Sequence, residues 1–542
     1  MIKRLIDKIL GKDPSQATGA AAGGRKKPRV PTGKRVEVPA SEHGIDPTLV
    51  DDRAVKVCTT LQEAGFEAYI VGGAVRDLLV GLRPKDFDVA TNATPEQVKG
   101  LFRRAFIIGR RFRIVHVVFG RGRDNDVIEV STFRAYLDAD AAEQVAGNEK
   151  TSRSELAGKS HVVDGSGRVL RDNVWGPQDQ DSARRDFTVN AMYYDPSTGV
   201  VVDYHGGIKD IKKKVLRMIG VPDVRYREDP VRIIRVVRFA AKLGFEIEAK
   251  TRDPLQSMAE LLSNVPQSRL FDEMIKLLQT GHAQASLDQL RKLGLDRGVF
   301  PILDAVFDET RRHPGREQFV KLALNDTDRR VSEGKPVAPS FLLACLLWHD
   351  VLDHWKRNLA KGEPPFPALQ AATDAVFDAR IGDISGRGKL ASDMREIWTM
   401  QPRFDKRVGS GPLTLVEQPR FRAGFDFLRL RAQAGEADQP LATWWEDFSL
   451  ADNDERRELM DVARQQESAK RAAQGPRGGG RAASHAAAGA ASGAESPSSE
   501  DDGGEGAVPA AKKRRRRRRK PSEGEGGAVS NGPSGNDGGA GD

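Results

Sequence analysis

The chain has 542 residues, of which 30% are charged and 39% hydrophobic, and its formal net charge is +9. This length leaves room for several domains with substantial cores. Its two cysteines, Cys58 and Cys345, lie far apart, which argues against a disulfide framework or a cysteine-based zinc site and predicts a reducing, cytoplasmic setting. No apolar run reaches the length of a membrane span, so an integral membrane protein is not expected either.

The folded part is predicted to begin after a flexible arm at residues 1–45, which is rich in Gly, Pro, Lys and Arg. The segment AVKVCTTLQEAG, from Ala54, has the periodicity of a helix that ends at Gly65. A first domain is expected over 46–205. It would combine strands and helices around a small mixed sheet, because both periodicities alternate along it.

The most informative segment, at 72–90, places a glycine pair ahead of two spaced aspartates. FEAYIVGG reads as a buried strand that ends in Gly72 and Gly73, where backbone N–H groups can approach a phosphate. Asp86 and Asp88 alternate with apolar residues, so on a strand both carboxylates would share one face. Two such oxygen ligands suit Mg²⁺. Each motif alone is weak, but their order is typical of nucleotidyl transfer.

A helix is predicted at 93–102, and strands are predicted at 113–120 and 126–132. In the last strand Glu129 shares a face with its alternate neighbours, so it joins the aspartates if the strands are adjacent. The alternative is a surface glutamate. A polar insertion at about 138–172 is interpreted as a flexible excursion within this domain.

Arg184, Arg185 and Asp186 are predicted to begin a helix that carries Phe187 and Val189. Asp186 would then favour the helix dipole. Capping explains the acid but not the arginines, which as planar donors suit phosphate.

The neck is expected over 206–280, with a helix at 227–245 that has Pro230 in its first turn and Gly244 at its end. Polar residues recur at every third position of this helix: Asp229, Arg232 and Arg235. Such a stripe forms either a solvated salt-bridging face or a set of donors and acceptors for the edge of a base.

Periodic segments predict a helical body over 281–467. Arg420 and Arg422 alternate with phenylalanines there, which predicts either RNA contacts or helix packing with the arginines outward. Residues 468–542 are predicted to be disordered because they are rich in Gly, Ala and Ser. Their basic run at 512–520 has the charge to contact RNA, for example through Lys512 and Arg516, or to serve as a solubilising tail.

With these segments in view, the chain resembles the nucleotidyltransferase class shared by bacterial poly(A) polymerases and CCA-adding enzymes, over about residues 42–436. The resemblance rests on GGAVRDLLVG with KDFDVAT, IEVSTFR, RRDFTVNAM and EDPVRIIRVVRFAAKLGF. IIGRRFRIVHVVFG, at 107–120, resembles the poly(A) polymerases in particular. Its basic residues are expected to contact RNA: Arg110, Arg111 and Arg113.

The resemblance implies an α+β fold, with a small mixed-sheet nucleotidyltransferase head followed by a mostly helical neck and body. It implies template-independent addition of AMP from ATP to RNA 3′ ends, with RNA decay as the expected consequence. Asp86 and Asp88 would hold two Mg²⁺ ions. Glu129 or Asp186 would supply a third carboxylate, and the other of the two would orient ribose or an arginine. The expected triphosphate-binding residues are Gly72, Gly73, Arg76, Arg184 and Arg185. The expected base-selecting residues are Asp229, Arg232 and Arg235.

RNA and ATP are therefore the expected partners, together with RNA-decay proteins that dock on the disordered ends. Two alternatives remain open. A CCA-adding enzyme would share the catalytic residues but also use CTP. A non-catalytic RNA-binding adaptor would have the basic tail without needing the carboxylates.

Overall fold

The computed structural model describes residues 32–109, 112–120, 126–136, 143–144, 161–163, 169–309, 315–381 and 388–473. Within them, a mixed sheet forms a head, and the chain beyond it is mostly helical, as expected. The strands are β1 (Val36–Val38), β2 (Ala68–Val71), β3 (Asp88–Thr91), β4 (Ala105–Ile108), β5 (Ile114–Phe119), β6 (Asp126–Thr132), β7 (Glu143–Gln144), β8 (His161–Val163), β9 (Val169–Asp172), β10 (Met192–Asp195), β11 (Val200–Asp203), β12 (Val215–Leu216) and β13 (Glu246–Ile247).

Nine helices lie in the described parts of the head and neck. They are α1 (Ala40–His43), α2 (Asp52–Glu63), α3 (Gly73–Leu79), α4 (Pro95–Leu101), α5 (Gln178–Arg184), α6 (Gly207–Lys213), α7 (Pro222–Glu228), α8 (Val231–Leu243) and α9 (Ala249–Arg252). Short 3₁₀ turns lie at Pro47–Leu49, Thr188–Asn190 and Ala259–Asn264.

The body is helical from α10 onward. Its helices are α10 (Gln267–Leu278), α11 (Ala283–Lys292), α12 (Pro301–Glu309), α13 (Arg316–Ser332), α14 (Pro339–Ala360), α15 (Pro365–Val376), α16 (Gly388–Phe404), α17 (Gly411–Val416), α18 (Phe421–Gln433), α19 (Gln439–Leu450) and α20 (Asn453–Ala473), with a π-helical turn at Phe377–Ile381. No helix of the described ranges is long and apolar enough to cross a membrane.

The head sheet has eight strands in the order β1-β11-β10-β2-β3-β6-β5-β4. The β3–β6 pair is parallel, and every other pair in this sheet is antiparallel. One face buries alternate apolar residues in the main core beneath the helices, among them Val89, Val115 and Val130. A second, smaller cluster with Tyr193 and Phe133 covers part of the opposite face. The rest of that opposite face carries the site.

The sequence placed the aspartates correctly on one face, although only one of them lies within the strand. Asp86 precedes β3 in a bend, and Asp88 is its first residue. Phe87 and Val89 alternate with the aspartates and are buried, while both aspartates stay exposed. The condition under which Glu129 would join the aspartates is met, because β6 is next to β3 and Asp88 pairs with Glu129 in register.

Two local predictions were wrong. Arg184 ends helix α5, so Arg184, Arg185 and Asp186 do not begin a helix; a 3₁₀ turn follows them and the chain then enters β10. The neck segment is two helices, because α7 ends at Glu228 and α8 starts only after Pro230. Asp229 is extended, with φ −148° and ψ 93°, as expected of a residue that precedes proline.

The phenylalanines next to Arg420 and Arg422 pack inside the body and are unavailable for base stacking. Phe421, Phe425 and Phe427 are all buried, so the packing alternative is confirmed for them.

Of the predicted flexible arm at 1–45, residues 36–38 and 40–43 form β1 and α1, and β1 pairs with β11 in the head sheet. Of the predicted disordered tail at 468–542, residues 468–473 continue helix α20. Residues 1–31, most of the 138–172 insertion and the chain from 474 lie outside the described residues. Within the insertion, β7, β8 and β9 form a three-stranded sheet.

Candidate active site

A cleft of about 540 Å³ lies between the head sheet and the neck helix α8. Cationic and anionic side chains dominate its walls. The lining residues are Gly72, Gly73, Ala74, Arg76, Asp77, Lys85, Asp86, Asp88, Arg185, Asp186, Asn190, Asp229, Arg232, Arg235, Arg238, Phe239 and Lys242. A cleft of this size and charge suits a small polyanion.

An acidic edge closes one side of the cleft. Asp86 and Asp88 line it, and Glu129 stands beside Asp88 on the next strand. Loss of hydration raises the pKa of Asp88 to about 6, with Glu129 and Asp86 adding to the rise and Arg185 opposing it. Carboxylates that hinder each other's ionisation are stabilised by a bound cation, so this edge is a candidate cation site.

Gly72 turns the chain from β2 into α3 in a conformation that side chains rarely adopt. Its φ is 71° and its ψ is −125°, and its N–H donates to the carbonyl oxygen of Met192 at 3.3 Å. A Cβ at this position would lie 3.3 Å from Nη1 of Arg185. The glycine therefore lets a guanidinium and the backbone share the floor of the cleft.

Replacing Gly72 with alanine is expected to destabilise the fold by about 1–3 kcal/mol, because the left-handed φ is strained for alanine. It should also raise the KM for nucleotide by displacing Arg185. Thermal unfolding and nucleotide titration would measure the two effects. Gly81→Ala is the matched control, since Gly81 has a φ of 76° but its Cβ would meet nothing within 4 Å. A Gly72→Ala protein with the stability loss but an unchanged KM would contradict the role at the floor.

Arg185 is held over the cleft by its neighbours. Its Nη2 donates to Oδ2 of Asp181 at 3.2 Å, and its guanidinium carbon lies 5.2 Å from the centre of the Tyr193 ring. Tyr193 in turn donates its hydroxyl to Asp181 at 2.7 Å. This support leaves the cation near Asp88, where its charge partly offsets the rise in the carboxylate's pKa.

Arg76 braces the glycine turn from inside. Its Nη1 donates to Oδ1 of Asn190 at 2.6 Å, and its Nε and Nη2 donate to Oδ1 of Asp77 at 2.8 and 2.6 Å. The side chain is only 3% exposed. Arg76 thus lines the cleft, as expected, but its donors mostly serve the protein. Lys242 reaches Asp77 from α8 at 3.6 Å.

Asp186 links the head to the neck. Its Oδ2 accepts from Nε of Arg235 at 2.7 Å, and its Oδ1 accepts from the Phe187 N–H at 2.8 Å and from Nδ2 of Asn190 at 3.2 Å. Burial opposes ionisation, but Arg235 and these donors outweigh it and hold the pKa of Asp186 at about 2. Both oxygens of this carboxylate are therefore already engaged.

Asp229 and Arg232 stand on the neck wall of the cleft. Arg232 donates to the carbonyl oxygen of Arg225 at 2.8 Å and to Oε2 of Glu228 at 3.0 Å. Oδ2 of Asp229 accepts from Arg269 at 3.1 Å. These contacts fix both side chains in one orientation. Arg235, the third member of the predicted stripe, is instead tied to Asp186.

Not every predicted residue reaches the cleft. Arg184 is absent from its lining, and its carbonyl oxygen accepts from Arg225 at 2.6 Å. Of the predicted RNA contacts, Arg113 pairs with Glu96, Arg420 with Asp393 and Arg422 with Asp426. Arg110, Arg111, Lys512 and Arg516 lie outside the described residues.

Sequence reasoning missed several cleft residues: Lys85, Asp77, Asn190, Arg238, Phe239 and Lys242. Burial, with Arg76 and Arg238 nearby, lowers the pKa of Lys242 despite Asp77. A bound anion would relieve this crowding of cations. Lys242 and Arg238 lie on the same face of α8, four residues apart, which is the one signal that pointed to them.

Comparison with known families and proteins shows what the chain is similar to. Residues 68–217 match the family described as "Poly A polymerase head domain". Residues 244–307 match "Probable RNA and SrmB- binding site of polymerase A", and residues 361–478 match "Polymerase A arginine-rich C-terminus".

Among individual proteins, the chain is similar to "Poly(A) polymerase I" of Haemophilus influenzae, with 41% identity over 78% of this chain and 90% of that protein. The protein of the same name from Salmonella typhimurium is 37% identical over 87% of this chain and 96% of its own length. A "CCA-adding enzyme" of Lactobacillus helveticus is 35% identical, but over only 42% of this chain and 49% of its own.

Proposed function

The chain belongs to the bacterial poly(A) polymerase family, and from this premise we propose that it extends RNA 3′ ends with AMP by two-metal nucleotidyl transfer in the cleft between head and neck. The similarity to poly(A) polymerases over most of the chain supports polynucleotide adenylyltransferase activity. The observation that carries the mechanism is the acidic edge of Asp86 and Asp88 beside a cation-lined cleft. Attack by the RNA 3′-hydroxyl on the α-phosphate of ATP would take place at this edge.

The acidic edge fits Mg²⁺ bound together with a nucleotide. Among the described residues, no three His, Cys, Asp or Glu side chains converge closely enough to hold a metal by themselves. Mg²⁺ is commonly bound by one or two carboxylates together with substrate phosphates and water. Asp86 and Asp88 would therefore hold the ions with the triphosphate, and the ions would lower the barrier to attack and neutralise the departing pyrophosphate.

Glu129 is the better candidate for the third carboxylate. It stands in register with Asp88 and is half exposed to solvent. Asp186, the other candidate, has both oxygens committed to Arg235, Asn190 and backbone. Asp186 would act by positioning Arg235 at the head–neck junction.

The triphosphate is proposed to lie against the cations of the cleft. Arg185 faces Asp88 across the glycine turn, and Lys242 and Arg238 approach from α8. Donors fixed before the reaction stabilise charge that builds on phosphate oxygens at little reorganisation cost. Gly72 and Gly73 leave space for that approach, while Arg76 holds the turn in shape.

Base selection is proposed for Asp229 and Arg232. Asp229 offers an acceptor and Arg232 offers donors, and each is already oriented by protein contacts. A fixed donor and acceptor pair can favour the edge of adenine and reject another base. This would replace a nucleic-acid template.

Substituting Arg232 with lysine, or Asp229 with asparagine, is expected to reduce the preference for ATP over CTP by about tenfold to a hundredfold, since such contacts are worth about 1–3 kcal/mol. Separate ATP and CTP incorporation assays would measure this with an unrelated RNA and with a tRNA that lacks its 3′ CCA. Arg227→Lys, on the exposed side of α7, is the control. An unchanged preference for ATP over CTP would show that these two residues do not select the base.

The same assay distinguishes poly(A) addition from the activity of a CCA-adding enzyme. Extension of both RNAs with ATP supports poly(A) addition, whereas CTP use confined to the tRNA would make the chain a CCA-adding enzyme. The adaptor alternative does not fit a member of an enzyme family that carries the acidic edge. Residues 244–307 are the proposed RNA-binding part of the neck and body. A role in RNA decay, decay proteins on the chain ends and a cytoplasmic location remain proposals.

A further inference from the structure

One row of side chains crosses seven of the eight strands of the head sheet, and four of these side chains are at least partly exposed. Strand pairing places Phe106, His116, Glu129 and Asp88 next to one another in register, on β4, β5, β6 and β3. The row continues through Val71, Tyr193 and Val202 on β2, β10 and β11. The latter three are buried in the smaller cluster, whereas the part from Asp88 to Phe106 is open to solvent.

The open half is apolar and aromatic away from the acidic edge. Phe106 is 57% exposed on β4, which is the last strand of the sheet. Ile108 on the same strand and Val127 on β6 are also exposed. An aromatic ring exposed on an edge strand favours association with another molecule, so it often marks a binding surface. The position of Phe106 in the row indicates what that molecule is.

We propose that this open row, Phe106-His116-Glu129-Asp88, binds the last nucleotides of the RNA substrate in single-stranded form and leads its 3′-hydroxyl to the acidic edge. The inference rests on the proposed adenylyl transfer at Asp86 and Asp88. Paired strands lie about 4.8 Å apart, so Phe106 stands about 14 Å from Asp88. The base over Phe106 would therefore lie upstream of the terminal nucleotide.

The direction of approach follows from the two substrates. Among the described residues, Asp86 and Asp88 line the nucleotide cleft, but Glu129, His116 and Phe106 do not. In-line displacement requires the attacking hydroxyl to come from the side opposite the departing pyrophosphate. With the triphosphate among the cations of the cleft, the hydroxyl would arrive over Glu129, from the open half of the sheet.

The chemistry of the row fits RNA of any sequence. An exposed aromatic ring stacks on every base and reads none of them. His116 places its Nε2 3.2 Å from Oε1 of Glu129, so the ring donates to the carboxylate in its Nε2–H tautomer and holds it beside Asp88. An enzyme that extends different RNAs needs this kind of sequence-tolerant surface.

The test compares Phe106→Ala and Phe106→Trp with the wild-type full chain, using an oligoribonucleotide of adenosines at saturating ATP. Base stacking on an aromatic ring is worth about 1–3 kcal/mol, so Phe106→Ala should raise the KM for RNA about tenfold. The KM for ATP should be unchanged, and tryptophan should restore RNA binding. Phe366→Ala is the matched control, because Phe366 is 55% exposed on α15 in the body.

A second measurement places the RNA directly. The fluorescent base 2-aminopurine is put at each of the last four positions of the oligoribonucleotide in turn, and binding is followed without ATP. We expect quenching at a position upstream of the 3′ end that is lost in Phe106→Ala and kept in Phe106→Trp and Phe366→Ala. This readout needs no catalysis, so it stays informative if the protein adds no AMP.

Three results would overturn the inference. The first is an RNA KM and a quenching profile in Phe106→Ala that match the wild type, which would also be the outcome if the face binds another protein. The second is an equal rise in the KM for ATP. The third is a Phe106→Trp protein as defective as Phe106→Ala. Failure of AMP addition with intact quenching would instead count against the proposed function alone.

Discussion

Asp86→Asn and Asp88→Asn proteins are each expected to lose AMP incorporation by about a thousandfold or more while remaining folded. A metal ion contributes several kcal/mol of transition-state stabilisation, and each 1.4 kcal/mol is worth a factor of ten in rate. Both aspartates are exposed at the mouth of the cleft, so asparagine leaves the core untouched. The loss should therefore appear in kcat without a loss of thermal stability.

The measurement is radiolabelled ATP incorporation into an oligoribonucleotide, with thermal unfolding of the same samples. Asp461→Asn is the control, because Asp461 is 61% exposed on α20 and pairs with Arg464 there. Chelation by EDTA should imitate the substitutions in the wild type, and added Mg²⁺ should reverse it. Activity within tenfold of wild type in both asparagine variants would show that catalysis lies elsewhere.

The acidic edge could be predicted because it depends on short-range order. Phe87 and Val89 alternate with the aspartates, and a period of two fixes which side chains enter the core. Glu129 was predictable for the same reason once its strand was recognised. The register that sets it opposite Asp88 depends on the parallel β3–β6 pairing, which joins residues far apart in the chain.

The segment after Arg184 was misread because burial there is continuous. Every residue from 186 to 194 is buried, so the hydrophobic pattern distinguishes neither a helix nor a strand. The break at Asp229 left a readable signal in Pro230, since the residue before proline avoids helical geometry. Sequence reasoning placed the proline correctly but extended the helix backward through it.

The sequence also does not reveal which residues form ion pairs between different helices and strands. Asp186 was expected to ligate metal, to orient ribose or an arginine, or to favour the helix dipole. It pairs with an arginine, Arg235, which was itself expected to read the base. Aspartate and arginine are both residue types that suit the roles predicted for them. Their pairing with each other depends on how α8 packs against the head, which is a property of the tertiary structure.

Replacing Asp186 with asparagine is expected to cost about 2–3 kcal/mol of unfolding free energy at neutral pH, because it removes the nearer carboxylate from Arg235 and leaves only Glu273, at 3.9 Å. Asparagine keeps an oxygen for the Phe187 N–H and for Asn190, but its NH2 group then faces the donors of Arg235, so the loss combines the missing charge with the lost acceptor. The Asp186→Asn/Arg235→Met double variant should recover much of it, since no unpaired charge remains. Urea unfolding of the wild type, the Asp186→Asn and Arg235→Met single variants and the double variant gives the coupling energy between the two side chains.

The pH dependence of this loss identifies its cause. The pKa of Asp186 is lowered to about 2 in the folded protein from an ordinary value of 3.8. A carboxyl with a depressed folded pKa stabilises the fold above its unfolded pKa, and that stabilisation disappears as the pH falls through the folded value. The gap between wild type and Asp186→Asn should therefore be full above about pH 4 and shrink toward pH 2. A gap of constant size across that range would mean that asparagine disturbs packing and that the Arg235 pair contributes little.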